Sequence, residues 1–142
     1  MKSTFLKIGL AWLLVLAFML PAEALDGVVV IANKSVQVSG LSAEALKDIY
    51  TGKKAYWDNG ETVVIIVVSG KPEDAAISDI SGMDAGQFKT FWQRMVFSGR
   101  GQQPRRAYDT NSLVAMVAAT KGAIAIVSTN TELKDVTTLQ VK

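Results

Sequence analysis

The stretch VVIIVV, residues 63–68, decides the fold of this chain. All six side chains are β-branched and apolar, which is typical of a strand that is buried on both faces. Such strands occur in parallel or mixed sheets that helices cover on each side. Ser69-Gly70-Lys71 ends the run, and Pro72 followed by two acidic residues is typical of the first turn of a helix. The stretch therefore predicts a strand that leads directly into a helix within an α/β domain.

Similar patterns place the remaining elements. Short β-branched or apolar runs bounded by turn residues predict strands, and apolar residues at helical spacing after a capping residue predict helices. The predicted strands are 28–32, 63–68, 123–127 and a final edge strand at 137–141, and the predicted helices are 41–52, 72–82, 84–99 and 109–120. Strands interleaved with helices in this order predict a layered α/β domain, with a mixed sheet flanked by helices.

The third helix has the clearest pattern. It begins after Asp84, which together with Gln87 has the spacing of a capping box. Its apolar residues recur at i, i+3, i+4, i+7 and i+8, and they are Phe88, Phe91, Trp92, Met95 and Val96. We expect this face to join the core, with Trp92 buried at its centre. A surface on which a ligand stacks is the alternative interpretation of the same aromatic residues.

Residues 1–24 have the three-part pattern of a signal peptide. Lys2 and Lys7 give a positive start, residues 8–20 form a run of 13 without a polar side chain, and Ala22-Glu23-Ala24 carries small residues two apart, as signal peptidase accepts. An uncleaved membrane anchor is the alternative, but a bilayer core needs about 20 apolar residues. We expect cleavage after Ala24, leaving a single domain over residues 25–142 that is not embedded in the membrane.

Composition excludes several classes of protein. The 142 residues include no histidine and no cysteine, so a Ser-His-Asp triad, a Cys-His pair and a His or Cys zinc site are excluded. No catalytic residue, metal site or cofactor is predicted, and we do not expect an enzyme. Removal of residues 1–24 leaves 13 Lys and Arg against 12 Asp and Glu, without the basic face that nucleic-acid binding requires.

The absence of cysteine also bears on the location of the mature chain. It excludes a lipid-modified N-terminal cysteine that would tether the exported protein to a membrane. A free exported protein is retained only by a cell with two membranes. We therefore expect the periplasm.

Ser69-Gly70-Lys71 is the predicted ligand-binding segment, because it joins a buried strand to the start of a helix. Free backbone N–H groups and the helix dipole favour an anion at such a place, and Lys71 adds a positive charge. Open α/β sheets also bind ligands at the carboxyl ends of their strands. The alternative is that the segment only turns the chain and starts the helix.

Two other groups of residues are weaker candidates. Gly52-Lys53 and Gly70-Lys71 lack both the earlier glycine and the Ser or Thr after the lysine that a P-loop requires. Arg100, Arg105 and Arg106 have no closely interleaved aromatic residue that would make a stacking platform. A solvated loop is therefore favoured over a basic binding patch.

Four segments together resemble the substrate-binding proteins of phosphate ABC transporters. They resemble more narrowly the short, single-lobe relatives grouped with the type 2 periplasmic binding proteins. The segments are "IANKSV" at 31–36, "LSAEALKDIYTGKKAYWDNG" at 41–60, "FKTFWQRMVFSGRGQQP" at 88–104 and "VAATKGAIAIVS" at 117–128. Their order and spacing carry the resemblance, which spans nearly all of residues 28–130.

The resemblance implies one lobe of a clamshell that binds phosphate or a related oxyanion, linked to phosphate ABC transport. Two-lobed members carry Arg-Asp-Gly-Ser-Gly-Thr where a strand meets a helix. Here that place is VVSGKP at 67–72, in which Ser69 and Gly70 match and the arginine, aspartate and threonine have no counterpart. We therefore expect weak oxyanion binding. The alternative is a lobe without a ligand that contacts a periplasmic or membrane partner, such as a transporter or sensor component.

Overall fold

The computed structural model describes residues 25–142. The predicted signal peptide and its cleavage site lie outside the described residues. Within residues 25–142, no helix has both the length and the apolar character needed to cross a membrane.

A mixed six-stranded sheet forms the centre of the fold, with the strand order β2-β6-β1-β5-β3-β4. Strand β1 runs antiparallel to its two neighbours β5 and β6, whereas β3 runs parallel to β5 and β4, and β2 runs parallel to β6. The strands are β1 Val28–Ala32, β2 Gly40–Leu41, β3 Val64–Val67, β4 Arg105–Arg106, β5 Ala123–Ser128 and β6 Thr137–Val141.

Within residues 25–142, four helices flank this sheet, and three of them begin at a side chain that caps the first turn. Ser42, Asp84 and Asp109 accept hydrogen bonds from backbone N–H groups of the helices that follow them. Asp84 and Gln87 form the predicted capping box in full. The helices are α1 Ala43–Tyr50, α2 Lys71–Ser81, α3 Ala85–Phe97 and α4 Thr110–Ala119. The predicted α/β fold with a mixed sheet between helices is confirmed.

Strand β3 is covered on both faces, as its uniformly apolar sequence predicts. Ile65 and Val67 belong to the larger core cluster, which α1, α2 and α3 cover. Ile66 and Val68 point to the opposite face and pack in a second cluster with Leu113 and other residues of α4. Because side chains alternate along a strand, only a sheet between two helical layers can bury every residue of this run.

The sequence pattern of α3 overestimates its burial. Phe88 and Trp92 are buried, with Trp92 only 4% exposed, which confirms the position predicted for that side chain. Phe91 and Met95 are partly buried against the core, but Val96 is 40% exposed, so its assignment to the core is wrong. The exposure of Val96 shows that the last turn of α3 leaves the core.

Three further details differ from the sequence-based expectation. The short strands β2 and β4 were not predicted, because two residues carry no periodicity. Strand β6 is not at the edge, since β2 pairs with its outer side. Helix α2 begins at Lys71 and places Pro72 at its second position, where a proline also removes an N–H that has no helical acceptor.

Two segments that carry the family resemblance hold the fold together. The indole Nε1 of Trp57 donates to the carbonyl of Gly122 at 2.9 Å, which ties the loop before β3 to the start of β5. The buried Asn33 donates from Nδ2 to the carbonyls of Val117 and Ala118, at 2.8 and 2.9 Å. It thereby supplies hydrogen-bond donors to carbonyl groups in the last turn of α4, where the regular hydrogen bonds of the helix end. These motif residues have structural roles.

Tyr50 is the largest side chain that is fully buried, and its ring packs against Phe88 with centroids 6.3 Å apart. Burial raises the pKa of the Tyr50 hydroxyl, because the charged form would be desolvated. The hydroxyl and the Nε1 of Trp92 have no hydrogen-bond partner among the described residues.

Candidate functional site

The carboxyl ends of three parallel strands meet at one edge of the sheet. Strands β4, β3 and β5 lie side by side, so the segments that follow Arg106, Val67 and Ser128 emerge together. This is the edge at which open α/β sheets bind their ligands. We use the name carboxyl-edge site for Ser69, Gly70, Lys71, Glu73 and Arg106.

An arginine reaches the predicted loop from the neighbouring strand. Arg106 pairs with Val67 in the sheet, and its Nη1 donates to the Oγ of Ser69 at 2.7 Å. Both side chains are exposed at this edge. The expectation that Arg105 and Arg106 lie in a solvated loop is wrong, because they form β4, and Arg106 supplies a guanidinium that the segment 67–72 itself lacks.

The loop ends at the beginning of α2. Gly70 is the capping residue of that helix and has no side chain with which to cap it. The first turn therefore retains N–H groups without a helical acceptor, on Lys71 and Glu73, while Pro72 has none. The Lys71 side chain is exposed, so its ammonium group is available to a ligand approaching the edge.

A buried carboxylate lies directly beneath the loop. Glu73 is 3% exposed, and its Oε1 accepts a hydrogen bond from the backbone N–H of Ser128 at 2.9 Å. Its Oε2 lies so close to Gly70 that a Cβ at that residue would collide with it. The negative charge is favourable beside the positive end of the α2 dipole. The same charge opposes a second anion at this place.

The surface around the site carries charges of both signs. Within residues 25–142, neither Lys71 nor Arg106 has a carboxylate within ion-pair distance. Asp109, the cap of α4, lies just after β4. Its carboxylate accepts a hydrogen bond from the backbone N–H of Ser112, and this bond lowers the pKa of the carboxyl. Beside it, Tyr108 is 95% exposed. Among the described residues, the edge therefore offers two cations without a carboxylate partner and an exposed aromatic ring.

The remaining arginines of the loop do not join this site. Arg100 lies before β4, where its Nε donates to the Oγ of Ser98 at 3.0 Å. Arg105, the first of the two residues of β4, pairs with Ile66, one residue further from the carboxyl end of β3 than the Val67 that pairs with Arg106. Across the described part of the chain, no three acidic side chains lie close enough together to hold a metal ion.

The sequence predicts three of the five residues grouped as the carboxyl-edge site and does not predict Arg106 or Glu73. In the sequence Arg106 belongs to a basic segment for which a solvated loop is favoured, because a two-residue strand cannot be recognised before β3 and β4 are known to be neighbours. Glu73 was counted as an ordinary acidic residue of a first helical turn. The sequence feature that points to Glu73 is its position three residues after a glycine cap, because a side chain there can reach back toward the start of the helix.

Comparison with known proteins decides the family. A family model described as the PBP superfamily domain matches residues 23–141, which is most of the chain. This chain belongs to the PBP superfamily domain family. A search of curated proteins found no match to this chain.

Solved structures with the same fold come from several bacteria. One, from Clostridium perfringens, is described as a phosphate ABC transporter substrate-binding protein with bound phosphate; it is 22% identical, with a TM-score of 0.62 over 81% of this chain and 44% of its own. An ABC-type phosphate transport receptor from Vibrio cholerae is 16% identical, with a TM-score of 0.55 over 81% of this chain and 46% of its own. PstS from Borrelia burgdorferi is 12% identical, with a TM-score of 0.61 over 82% of this chain and 47% of its own.

These similarities establish the fold of the PBP domain. The chain spans less than half the length of each of the three structures. It therefore corresponds to a part of such a protein, as a single-lobe member does. The predicted membership among periplasmic-binding-protein-like domains is confirmed by the family model, and the predicted resemblance to phosphate ABC transporter substrate-binding proteins is confirmed at the level of the fold.

Proposed function

We propose that this PBP domain is an exported solute-binding lobe that holds phosphate or a related oxyanion at the carboxyl-edge site, as part of phosphate ABC transport. The observation that carries the proposal is the junction of β3 and α2, where the Ser69 hydroxyl and the Arg106 guanidinium are joined beside the start of a helix whose first residue is Lys71. Arg106 and Ser69 are already joined at 2.7 Å, so the guanidinium is held beside the loop. Membership of the PBP superfamily domain family and the phosphate bound in the structure from Clostridium perfringens support the proposal.

Each group has a distinct role in the proposed complex. The N–H groups at the start of α2 donate to the oxyanion along the helix dipole. The Ser69 hydroxyl accepts from Arg106 and keeps its own proton for the ligand. Arg106 and Lys71 add charge-assisted hydrogen bonds, which are about twice as strong as neutral ones.

Two features limit the affinity of the site. The donors lie at an exposed edge, where water competes with the ligand and salt screens the charges. The buried Glu73 carboxylate repels a second anion at close range. We therefore propose a dissociation constant in the micromolar-to-millimolar range, corresponding to about −8 to −4 kcal/mol.

An interaction module is the second candidate, and one observation favours it. The Glu73 carboxylate already lies at the start of α2, the place where an anionic ligand would gain most from the dipole. Because this carboxylate already offsets the positive charge at the start of α2, an added oxyanion would bind with a less favourable free energy. Under this proposal Tyr108, which is 95% exposed, contacts a periplasmic or membrane partner such as a transporter or sensor component.

Calorimetric titration separates the two candidates. Protein purified from the periplasm is titrated with phosphate, and separately with sulfate, at low ionic strength. Solute binding predicts a saturable signal with phosphate that weakens as salt is added, because the site is exposed. No heat from either anion at concentrations of about 10 mM would contradict solute binding and favour the interaction module.

A further inference from the structure

A second cleft lies on the opposite edge of the sheet from the carboxyl-edge site. It has a volume of about 280 Å³ and lies between the end of α1, the α3 residue Trp92, the start of β3 and the loop 99–103. Val64, the first residue of β3, lines it, whereas the carboxyl-edge site follows the last residue of that strand. We name it the amino-edge cleft.

The charged residues that line the amino-edge cleft are all cationic. They are Lys54, Arg100 and Arg105, and the lining residues include no acid. Lys54 is paired at 3.1 Å with Asp58, whose side chain is 86% exposed. Within residues 25–142, neither arginine has a carboxylate within ion-pair distance. The amides Gln102 and Gln103 add further hydrogen-bonding groups to the same loop.

Apolar side chains form the other part of the cleft. Ile49, Ile65 and Trp92 line it from the core, and Tyr56, which is 62% exposed, lines it as well. Two glycines allow the backbone to approach the indole closely. A Cβ at Gly101 would lie 3.0 Å from Cζ3 of Trp92, and a Cβ at Gly52 would lie 3.4 Å from its Cη2. The ring edge is therefore bordered by backbone from two loops.

This combination selects an amphipathic anion. An inorganic oxyanion would use the cations but would leave the exposed Tyr56 ring in contact with water. A neutral apolar molecule would leave the guanidinium groups without a partner. Pockets for small molecules commonly have volumes of about 300–1,000 Å³, so a cleft of about 280 Å³, slightly below this range, fits only a compact ligand. We propose that the amino-edge cleft binds small organic carboxylates with one apolar ring, with the carboxylate at Arg100 and Arg105 and the ring against Tyr56, above the buried Trp92.

The site is independent of the proposed oxyanion site. Arg105 and Arg106 are neighbours on β4, yet Arg105 lines the cleft and Arg106 contacts Ser69 at the other site. The two arginines therefore form a matched pair for testing both sites in the same protein. Either site can fail its test without affecting the other.

Titration of the exported protein with benzoate, followed by amide NMR shifts, tests the cleft. We expect saturable shifts in residues 52–65 and 99–105, with benzyl alcohol, the uncharged control, at least about tenfold weaker. R100Q and R105Q should each weaken benzoate binding about fivefold to tenfold, as expected for the loss of one charge-assisted hydrogen bond. R106Q, and R94Q on the part of α3 outside the cleft, should leave it unchanged. All four arginines are exposed, so the variants should retain the fold.

Several results would overturn the proposal. One is the absence of shifts around the cleft at about 10 mM benzoate, a concentration that detects even millimolar binding. Others are equal binding of benzyl alcohol, equal binding of acetate, or equal losses in R105Q and R106Q. Phosphate shifts at residues 69–74 are recorded on the same samples, and their presence or absence decides only the carboxyl-edge site.

Discussion

The Glu73 carboxylate occupies the space that a β-carbon at residue 70 would need, so Gly70 is a glycine because of its neighbour and not because of its backbone. The φ angle of Gly70 is 177°, an extended value that any residue can adopt. Glu73 is held in this position by the backbone N–H of Ser128, at the end of β5. The pair therefore connects the first turn of α2 to the central strand of the sheet.

Gly70→Ala should destabilise the domain by about 1–3 kcal/mol, the usual cost of overpacking a filled site. In a Glu73→Ala background the same change should have almost no effect, because the added methyl group then has room. Urea unfolding of the four proteins gives the coupling free energy. Gly86→Ala, at an exposed glycine in the first turn of α3, is the control and should not be destabilising. Additive effects of the substitutions at 70 and 73 would show that the two residues do not interact.

Glu73→Gln should strengthen phosphate binding. Glutamine keeps the acceptor for Ser128 but removes a negative charge beneath the proposed ligand. The ligand side of the site is open to water, where two unit charges about 4 Å apart interact by about 1 kcal/mol, so we expect about fivefold tighter binding by calorimetry. Asp74→Asn removes an exposed charge one residue later and should change the affinity by less than about twofold. Equal effects of the two substitutions would contradict a specific role for the buried carboxylate.

Trp92→Ala should cost about 3–5 kcal/mol of unfolding free energy, the usual range for deleting a core aromatic side chain. Trp92 is 4% exposed and packs edge-on against both Phe88 and Phe91. Phe97→Ala on the same helix is the control, because Phe97 is 97% exposed and its loss should change the stability little. A Trp92→Ala protein with an unchanged unfolding midpoint would mean that α3 does not contribute to the core.

Export should be accompanied by cleavage after Ala24. The small residues Ala22 and Ala24 motivate this prediction, which concerns residues outside those described by the structure. Intact-mass measurement of protein isolated from the periplasm should give a chain that begins at Leu25. A mature form that retains Met1 would contradict the signal peptide and favour the membrane anchor.

The elements that could be predicted from the sequence are those with a long, one-sided or uniform pattern. Strand β3 and the buried position of Trp92 follow from side-chain type and spacing, and the start of α3 follows from Asp84 and Gln87. Strand β4 could not be predicted, because two arginines form a strand only when β3 is beside them. The burial of Val96 was predicted wrongly, because the apolar pattern of α3 continues to Val96 while the core does not.

The residues of the candidate site also differ in whether a local sequence pattern could predict them. Ser69, Gly70 and Lys71 could be predicted because they are contiguous and join a strand to a helix. Arg106 lies 37 residues after Ser69 in the sequence, and the two side chains are in contact only because β4 is the neighbour of β3 in the sheet. Glu73 is close in sequence, but its charge bears on the site only because the side chain is buried beneath Gly70. Long-range pairing and side-chain direction are the properties that a single sequence leaves open.

An NMR titration with phosphate at low ionic strength tests the proposed oxyanion site most directly. For the wild-type protein we expect saturable shifts centred on residues 69–74 and on Arg106, with a dissociation constant in about the micromolar-to-millimolar range. Lys71→Ala and Arg106→Gln should each weaken binding about fivefold to tenfold, while Arg105→Gln on the same strand should not. The absence of shifts at tens of millimolar phosphate, or shifts that all three substitutions leave unchanged, would contradict oxyanion binding at this site.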